Sequence, residues 1–307
     1  MTTSVVIACY NGEKYILEQL ESIRNQTVSP DEVLLCDDSS TDNTFEIVEK
    51  YIKDNELTGW RIQKNETNKG WKATFANLVL QASKDILILC DQDDIWYPNK
   101  LETQVSALKA HNDVQLVVCD LDVKYMSENV HPYEPEIFGD EAYLRIALQP
   151  KWLRIMRPGC AFAVRREFAQ TCFSKYWREG LAHDLFLWQC AFLAYSIGYI
   201  HEPLFAYRRF QESTTAGKIT SKTGHRIVEN EIFLQSLDAA CGIYKEPQLC
   251  SAAAKKMAQR CIALETKRKR FFQTKNVFIW LSCLAQLDCY PFAKSWPADL
   301  YHTFVQH

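Results

Sequence analysis

The sequence predicts an α/β protein built on a mostly parallel sheet flanked by helices, followed by a helical C-terminal region. Short apolar, β-branched runs alternate with amphipathic stretches over the first 120 residues, the pattern of strands joined by helices in a parallel sheet. Acidic residues stand where apolar runs stop: Asp37-Asp38, Asp91-Gln92-Asp93-Asp94, and Asp120 with Asp122. Ligands of such sheets bind beyond the carboxyl ends of the strands, so this coincidence points to a binding edge. From about residue 221 onward the pattern becomes mainly helical.

Each element has its own signal. Residues 4–9 are a β-branched apolar run and read as the first strand. Residues 13–25 follow as a helix, with Ile16, Leu17, Leu20 and Ile23 at helical spacing. The second strand is 32–36. The second helix, 44–53, carries Phe45, Val48 and Ile52 on one face and is entered through Ser39-Ser40-Thr41-Asp42-Asn43, rich in cap-forming side chains. A third strand reads over 60–63, and a third helix over 72–83 buries Phe75, Leu78, Val79 and Ala82. The fourth strand is 85–90. Pro98 opens a fourth helix at a favoured first position, with Leu101, Val105 and Leu108 inward. The fifth strand is 116–119. Residues 121–220 mix short strands and loops with one helix over 184–195, and a soft boundary falls at Thr215-Ala216-Gly217-Lys218.

The bulk properties narrow the function. A chain of 307 residues, 47% hydrophobic and 24% charged, is an ordinary globular composition. The net charge of −3 gives no signal for nucleic acid. Twelve cysteines form no CxxC pair or regular framework. Cys9, Cys36, Cys90 and Cys119 lie in or at the ends of apolar runs and read as buried small hydrophobes in a reducing compartment. The start, Met1-Thr2-Thr3-Ser4-Val5-Val6-Ile7, has no secretory character, and no 18-residue apolar stretch reads as a spanning helix. GxGxxG and GxxxxGK[ST] are both absent, which disfavours a nicotinamide or P-loop enzyme.

Three carboxylates in Asp91-Gln92-Asp93-Asp94, after the apolar run Ile86-Leu87-Ile88-Leu89-Cys90, are costly unless a cation binds there. Mg²⁺ or Mn²⁺ bridging carboxylates to substrate phosphates is the usual solution; a solvated acidic turn is the alternative. In Asp37-Asp38-Ser39-Ser40-Thr41-Asp42, Thr41 and Asp42 read as caps and Asp38 as the ligand candidate, able to accept from a nucleobase or ribose. Tyr10 in Cys9-Tyr10-Asn11-Gly12 could stack on a base, and Asn11-Gly12 alone is equally a turn.

Together Val5-Val6-Ile7-Ala8-Cys9-Tyr10-Asn11-Gly12, Asp37-Asp38-Ser39-Ser40-Thr41-Asp42, Asn68-Lys69-Gly70 and Asp91-Gln92-Asp93-Asp94-Ile95-Trp96 resemble glycosyltransferase family 2, in order and spacing, over residues 4 to about 215. The DQDDIW form with Pro98 and Lys100 is most similar to bacterial rhamnosyltransferase-like members that build surface polysaccharides. The resemblance implies a GT-A fold and an inverting, nucleotide-sugar-dependent transferase. It further implies that Tyr10 and Asp38 hold the nucleobase, that Gly70 lets the backbone pass close to the nucleotide with Lys72 nearby, and that Asp91-Gln92-Asp93 contacts the donor. Of that DxD pair, Asp93 would sit directly on a divalent metal, Mg or Mn, with Asp91 nearer the ribose and Asp94 behind them. Gly159 and Cys160, in Pro158-Gly159-Cys160-Ala161, would form a small-residue loop beneath the sugar. His183-Asp184 would place the catalytic base, Asp184, at a helix start. On local grounds alone Asp184 reads as an N-cap in preference to a base. A helix N-terminus also favours its carboxylate form, while nearby anions oppose that.

Family members often follow a Tyr-Arg pair with histidine and then asparagine. Here Tyr207-Arg208-Arg209 is followed by Phe210, with Ser213 or Thr214 near the asparagine position. Arg208 or Arg209 would then supply positive charge to the diphosphate. The division implied is 1–220 for the catalytic domain (about 1–120 nucleotide-binding, 121–220 acceptor half) and 221–307 for the helical region. Partners implied are a nucleotide-diphosphate sugar, dTDP-rhamnose among the candidates, and a glycan or lipid-linked acceptor, in the cytoplasm. In the tail, Lys267-Arg268-Lys269-Arg270 precedes Phe271, Phe272, Phe278 and Trp280. Basic residues beside an aromatic amphipathic stretch suit an anionic surface, here the inner face of the membrane through 267–287. Packing on protein, including a homo-oligomer, fits the tail equally well. The rival function is a catalytically inactive subunit that positions a partner transferase.

Overall fold

The computed structural model describes residues 1–128, 130, 132–155, 157–210, 222–290, 292 and 294–304, with backbone only over 222–225. They gather in two compact units: 1–146, 156–175 and 196–213 form the first, and 147–155, 176–195 and 214–307 the second.

The first unit is the sheet with its helices. In chain order it holds β1 (Thr3–Cys9), α1 (Ile16–Arg24), β2 (Glu32–Asp37), α2 (Thr44–Asp54), β3 (Trp60–Lys64), α3 (Trp71–Gln81), β4 (Ile86–Cys90), β5 (Ile95–Trp96), α4 (Lys100–Ala110), β6 (Leu116–Tyr125), β7 (Tyr143–Arg145), β8 (Phe162–Arg165), α5 (Arg166–Lys175) and β9 (Ile197–Arg209). The strands run β3-β2-β1-β4-β8-β6-β9-β5, with β7 on β9. Every residue of β2 and β4 is buried, which is why these strands read as continuous rather than alternating apolar runs.

β1, β2, β3 and β4 pair in parallel, as do β6 and β9. β8 runs antiparallel to both β4 and β6, and β5 and β7 run antiparallel to β9. The sheet is therefore mixed. β8 is entered from a 3₁₀ turn at Gly159–Ala161 rather than from the crossover helix a parallel strand needs.

β6 continues well past the expected 116–119, with register shifts at Cys119/Asp120 and Asp120/Asp122. Asp120 and Asp122 are thus inside a strand, not at its end. Asp120 accepts from Arg157 at 2.6 Å and from the Tyr199 hydroxyl at 2.5 Å, and Asp122 from the Tyr97 hydroxyl at 2.5 Å. This acidic pair is engaged within the protein. The fourth helix begins at Lys100, two residues after Pro98.

The second unit is helical: α6 (His183–Leu193), α7 (Lys222–Ala240), α8 (Ala252–Thr274), α9 (Val277–Ser282) and α10 (Ser295–Phe304). Nine of the eleven residues of α6 are buried, and Trp188 Nε1 donates to the Trp152 carbonyl at 2.7 Å. That all-round burial is why 147–155 and 176–195 cluster with the C-terminal helices, although the sequence division at 220 puts them with the sheet.

The basic run 267–270 lies in α8, and its charges diverge. Arg268 is buried between Glu265 (2.8 Å) and Asp299 (2.7 Å). Lys269 pairs with Glu231 at 3.0 Å, and Lys267 donates to Gln286 at 2.8 Å. Phe271, Phe272 and Trp280 form a core cluster, and Trp280 stacks on Trp296 with centroids 4.0 Å apart. Of the four aromatics expected on a surface, only Phe278 is outside, 81% exposed.

Candidate active site

The carboxyl ends of β1, β2 and β4 bring the sequence motifs of the first unit to one edge. Gln92 latches two of these ends together. Its Oε1 accepts from the Tyr10 N–H at 2.9 Å, and its Nε2 donates to the Tyr10 carbonyl at 3.0 Å, across 82 residues of sequence. A Cβ on Gly12 would lie 2.3 Å from Gln92 Oε1, so the latch needs glycine there. The Gln92 amide is spent on the backbone, while the Tyr10 ring is 45% exposed and available for stacking.

Asp38 is buried and organises a loop. Its Oδ1 accepts from Asn65 Nδ2 (2.7 Å) and the Lys69 N–H (2.9 Å), and its Oδ2 from the Gly70 N–H (2.7 Å). Gly70 precedes α3 at φ +79° and ψ 148°, an extended positive-φ conformation that is essentially confined to glycine and costs other residues roughly 1–3 kcal/mol. Asp38 thus acts on the 68–70 loop directly. Lys72, in the first turn of α3, lies over the Trp71 ring at 5.6 Å. Asn43, not Asp42 or Thr41, holds the cap position of α2, without a side-chain bond; Asp42 lies one residue earlier and accepts from the Thr44 N–H at 3.0 Å.

The end of β4 is the most charged point. Donor atoms of Asp91, Asp94 and Cys160 all lie within 4.8 Å of one another; Asp93 is not in this group. Asp94 is fully buried. Its Oδ1 accepts from the Arg208 N–H at 3.1 Å, and its Oδ2 takes no N–H or O–H hydrogen bond. Burial, then Asp91 and Asp93, raise the Asp94 carboxyl well above the usual range. Burial also raises Asp93, with Arg208 opposing. Burial, then Asp94 and Asp91, push the Cys160 thiol up. An orphaned buried carboxylate oxygen among like charges fits a divalent cation, so the residues present suit the metal that the DxD pattern implies.

The two arginines differ. Arg208 is buried; its guanidinium donates to the Asp93 carbonyl and pairs with Glu18, and it lies 5.3 Å from the Tyr15 ring centre. It braces the acidic turn. Arg209 is half-buried, stands 5.6 Å from the Tyr133 ring and 5.8 Å from that of Tyr207, and its Nε has no hydrogen-bond partner among the described residues. Phe210, where a histidine was expected, packs on Tyr15 with centroids 4.4 Å apart. Ser213 and Thr214 lie outside the described residues. Gly159 and Cys160 form a buried 3₁₀ turn. The parts that sequence reasoning missed, Glu18, Tyr15 and Tyr133, carry no motif and are found only through their contacts.

His183 and Asp184 belong to the second unit, at the start of α6. Ala182 holds the cap position without a side-chain bond, so Asp184 is not the N-cap. It lies in the first turn, where its Oδ1 accepts from the Leu185 N–H at 2.8 Å. Burial lowers His183 to about 4, with Asp184 opposing, which leaves a neutral imidazole beside the carboxylate.

The sheet and this edge define a GT-A fold of the kind that binds nucleotide-diphospho-sugars. The chain belongs to glycosyl transferase family 2, whose profile matches residues 4–173, more than half its length. It is 34% identical over 110 residues to the Escherichia coli UDP-Glc:alpha-D-GlcNAc-diphosphoundecaprenol beta-1,3-glucosyltransferase WfgD, covering 36% of this chain and 42% of WfgD. It is 37% identical over 121 residues to the Staphylococcus aureus (strain Mu50) poly(ribitol-phosphate) beta-N-acetylglucosaminyltransferase TarS, covering 38% and 21%. These matches span less than half of either relative. The S. aureus TarS 1–349 structure in complex with UDP-GlcNAc superposes with a TM-score of 0.62 at 18% identity over 99% of this chain and 89% of that one. A Pyrobaculum calidifontis mannosyltransferase, PcManGT, in complex with GDP-Man and Mn²⁺, gives 0.54 at 16% identity over 98% and 84%.

Proposed function

We propose that this chain is an inverting glycosyltransferase that moves a sugar from a nucleoside-diphosphate donor to a hydroxyl of a bacterial surface polysaccharide or lipid-linked glycan. The observation that carries the reading is the carboxylate cluster at the end of β4, with Asp94 fully buried in it, in a member of a glycosyl-transferring family. Tyr10 offers a ring to the base, and Asp38 shapes the Gly70 loop that the nucleotide backs onto. Asp91 and Asp93 hold Mg²⁺ or Mn²⁺, which when bound offsets the charge of the departing diphosphate. Arg209 is the diphosphate's side-chain cation, since it is the less buried of the two and Arg208 already gives two of its three guanidinium nitrogens to Asp93 and Glu18. Gly159 and Cys160 lie under the sugar. Asp184 takes the acceptor proton, and the neutral His183 adds no cation to depress its basicity.

The resemblance of the DQDDIW segment with Pro98 and Lys100 favours dTDP-rhamnose as donor. A thermal-shift panel of dTDP-rhamnose, UDP-GlcNAc, UDP-Glc and GDP-Man with Mn²⁺, followed by a transfer assay on a lipid-diphosphate acceptor, tests the reading. Mn²⁺-dependent stabilisation by one donor and turnover that is lost in Asp93→Ala are expected. Binding of a donor with neither transfer nor hydrolysis would favour the inactive positioning subunit instead.

We also infer contact with an anionic membrane surface. No helix among the described residues is long and apolar enough to cross a bilayer. Residues 266–287 contain five Lys/Arg and no acid, and Val277, Phe278, Leu281, Leu284 and Leu287 are exposed. Because Arg268 is internal, the contact is mainly hydrophobic, aided by Arg270 and Lys275. Phe278→Ser should release the chain from anionic vesicles in co-sedimentation. A chain that never sediments, and instead associates with itself, places the face in a homo-oligomer.

A further inference from the structure

We propose that Asp91, Asp94 and Cys160 form a mixed oxygen–sulfur cation site that takes Zn²⁺, or another thiophilic divalent ion, without any nucleotide. The proposal rests on reading this edge as a cation site, but it assigns an inner donor set distinct from the Asp91–Asp93 pair.

Three features of the first unit carry it. The donor atoms, two carboxylate and one thiol, lie within 4.8 Å of one another, close enough for one ion to reach all three. Asp94 is fully buried; its Oδ2 has no N–H or O–H partner, and the Cys160 thiol is the side chain that hydrogen-bonds the carboxyl, weak compensation for a buried acid. Neither Arg208 nor Lys100 gives Asp94 Oδ2 a hydrogen bond. Arg208 meets Asp94 through its backbone N–H, while its guanidinium serves the Asp93 carbonyl and Glu18. Lys100 directs Nζ to Gln104 Oε1 at 3.1 Å and sits 5.0 and 4.9 Å from the Trp96 and Phe205 rings.

The donor chemistry sets the metal class. Carboxylates alone suit Mg²⁺ or Mn²⁺, whereas a thiolate shifts preference towards Zn²⁺. Three protein donors leave a fourth position for water, and Asp91 is the one member not fully buried. Cys160 is placed by its backbone, on the buried turn Gly159–Ala161 leading into β8. On ligation its sulfur bonds the metal and its proton passes to water. Because Asp91 serves both sets, Zn²⁺ held here competes with the donor-linked ion.

Cobalt reports sulfur ligation directly. The metal-stripped full chain, titrated with Co²⁺ in the absence of nucleotide, should develop a near-ultraviolet sulfur-to-cobalt charge-transfer band that Zn²⁺ abolishes. Cys160→Ser should lose that band and weaken Zn²⁺ binding by about tenfold or more, and Cys160→Ala should do the same if the serine variant folds poorly by circular dichroism. Asp93→Asn should keep the band. A wild-type chain without the band, or a band unchanged in both Cys160 variants, overturns the proposal. Neither result touches the donor site, which Mn²⁺-dependent stabilisation of the wild-type chain by a nucleotide sugar decides separately.

Discussion

His183 makes folding of the second unit depend on pH in a calculable way. An imidazole exposed in the unfolded chain titrates near 6.5, and burial in the native state holds it at about 4. Its folded pKa is depressed, so the unfolded state binds the proton first as pH falls. Stability is therefore undiminished above pH 6.5 and is lost progressively below it, until both states are protonated near pH 4. Each tenfold step in proton affinity is worth about 1.4 kcal/mol, so the full effect is about 3 kcal/mol. Between pH 7 and pH 5 the loss is about 2 kcal/mol. Carboxylates also titrate in this range, so the measurement is a difference. Urea unfolding of wild type and His183→Gln, followed by tryptophan fluorescence at both pH values, should show the variant losing about 2 kcal/mol less on acidification. Parallel pH dependences in the two proteins would refute the argument, whatever the variant's absolute stability.

Three further outcomes are expected. Asp184→Asn keeps the side chain's shape but cannot take a proton, so kcat should fall by about 10²–10⁴-fold with donor affinity little changed; near-normal kcat removes Asp184 from the chemistry. Gly70→Ala should destabilise the chain by roughly 1–3 kcal/mol and weaken donor binding, because φ +79° positions the N–H that Asp38 holds; unchanged calorimetric and binding values would contradict this. Arg268→Met removes the buried partner shared by Glu265 and Asp299; because Arg154 and Arg226 remain on them, the loss should fall below the roughly 3–5 kcal/mol of a fully stranded buried charge yet still lower Tm, whereas a surface role would leave Tm unmoved.

Much of the fold is written locally. β1, β2 and β4 are apolar runs of strand length, and α1 and α2 keep a helical stripe, so their places were legible to within a few residues. β5 is two residues long and exists only because β9 pairs with it. β6 passes through two aspartates that look like a strand end until Arg157, Tyr199 and Tyr97 are seen to satisfy them. The site divides the same way. Asp91-Gln92-Asp93-Asp94 announces itself as charge at the end of a buried strand. The Gln92–Tyr10 latch, the Arg208 brace on Asp93 across 115 residues and the meeting of Asp94 with Cys160 link distant stretches and leave no periodic trace. In the tail, a run of four cations looked like one surface because helical phase and partners 31 residues away are invisible in a linear reading.

The Gln92 latch bears on how this edge can vary. Residue 12 has no room for a Cβ because the Gln92 amide occupies that space, and that amide closes a two-bond ring with the main chain of residue 10. The first and fourth strand ends consequently behave as one rigid jaw. Positions 12 and 92 are physically coupled: a side chain enters at 12 only when the Gln92 amide swings away or 92 shortens. The strands stay paired as far as Ile7 and Cys90, and what is lost is the tie between the turn bearing the Tyr10 ring and the turn bearing the carboxylates.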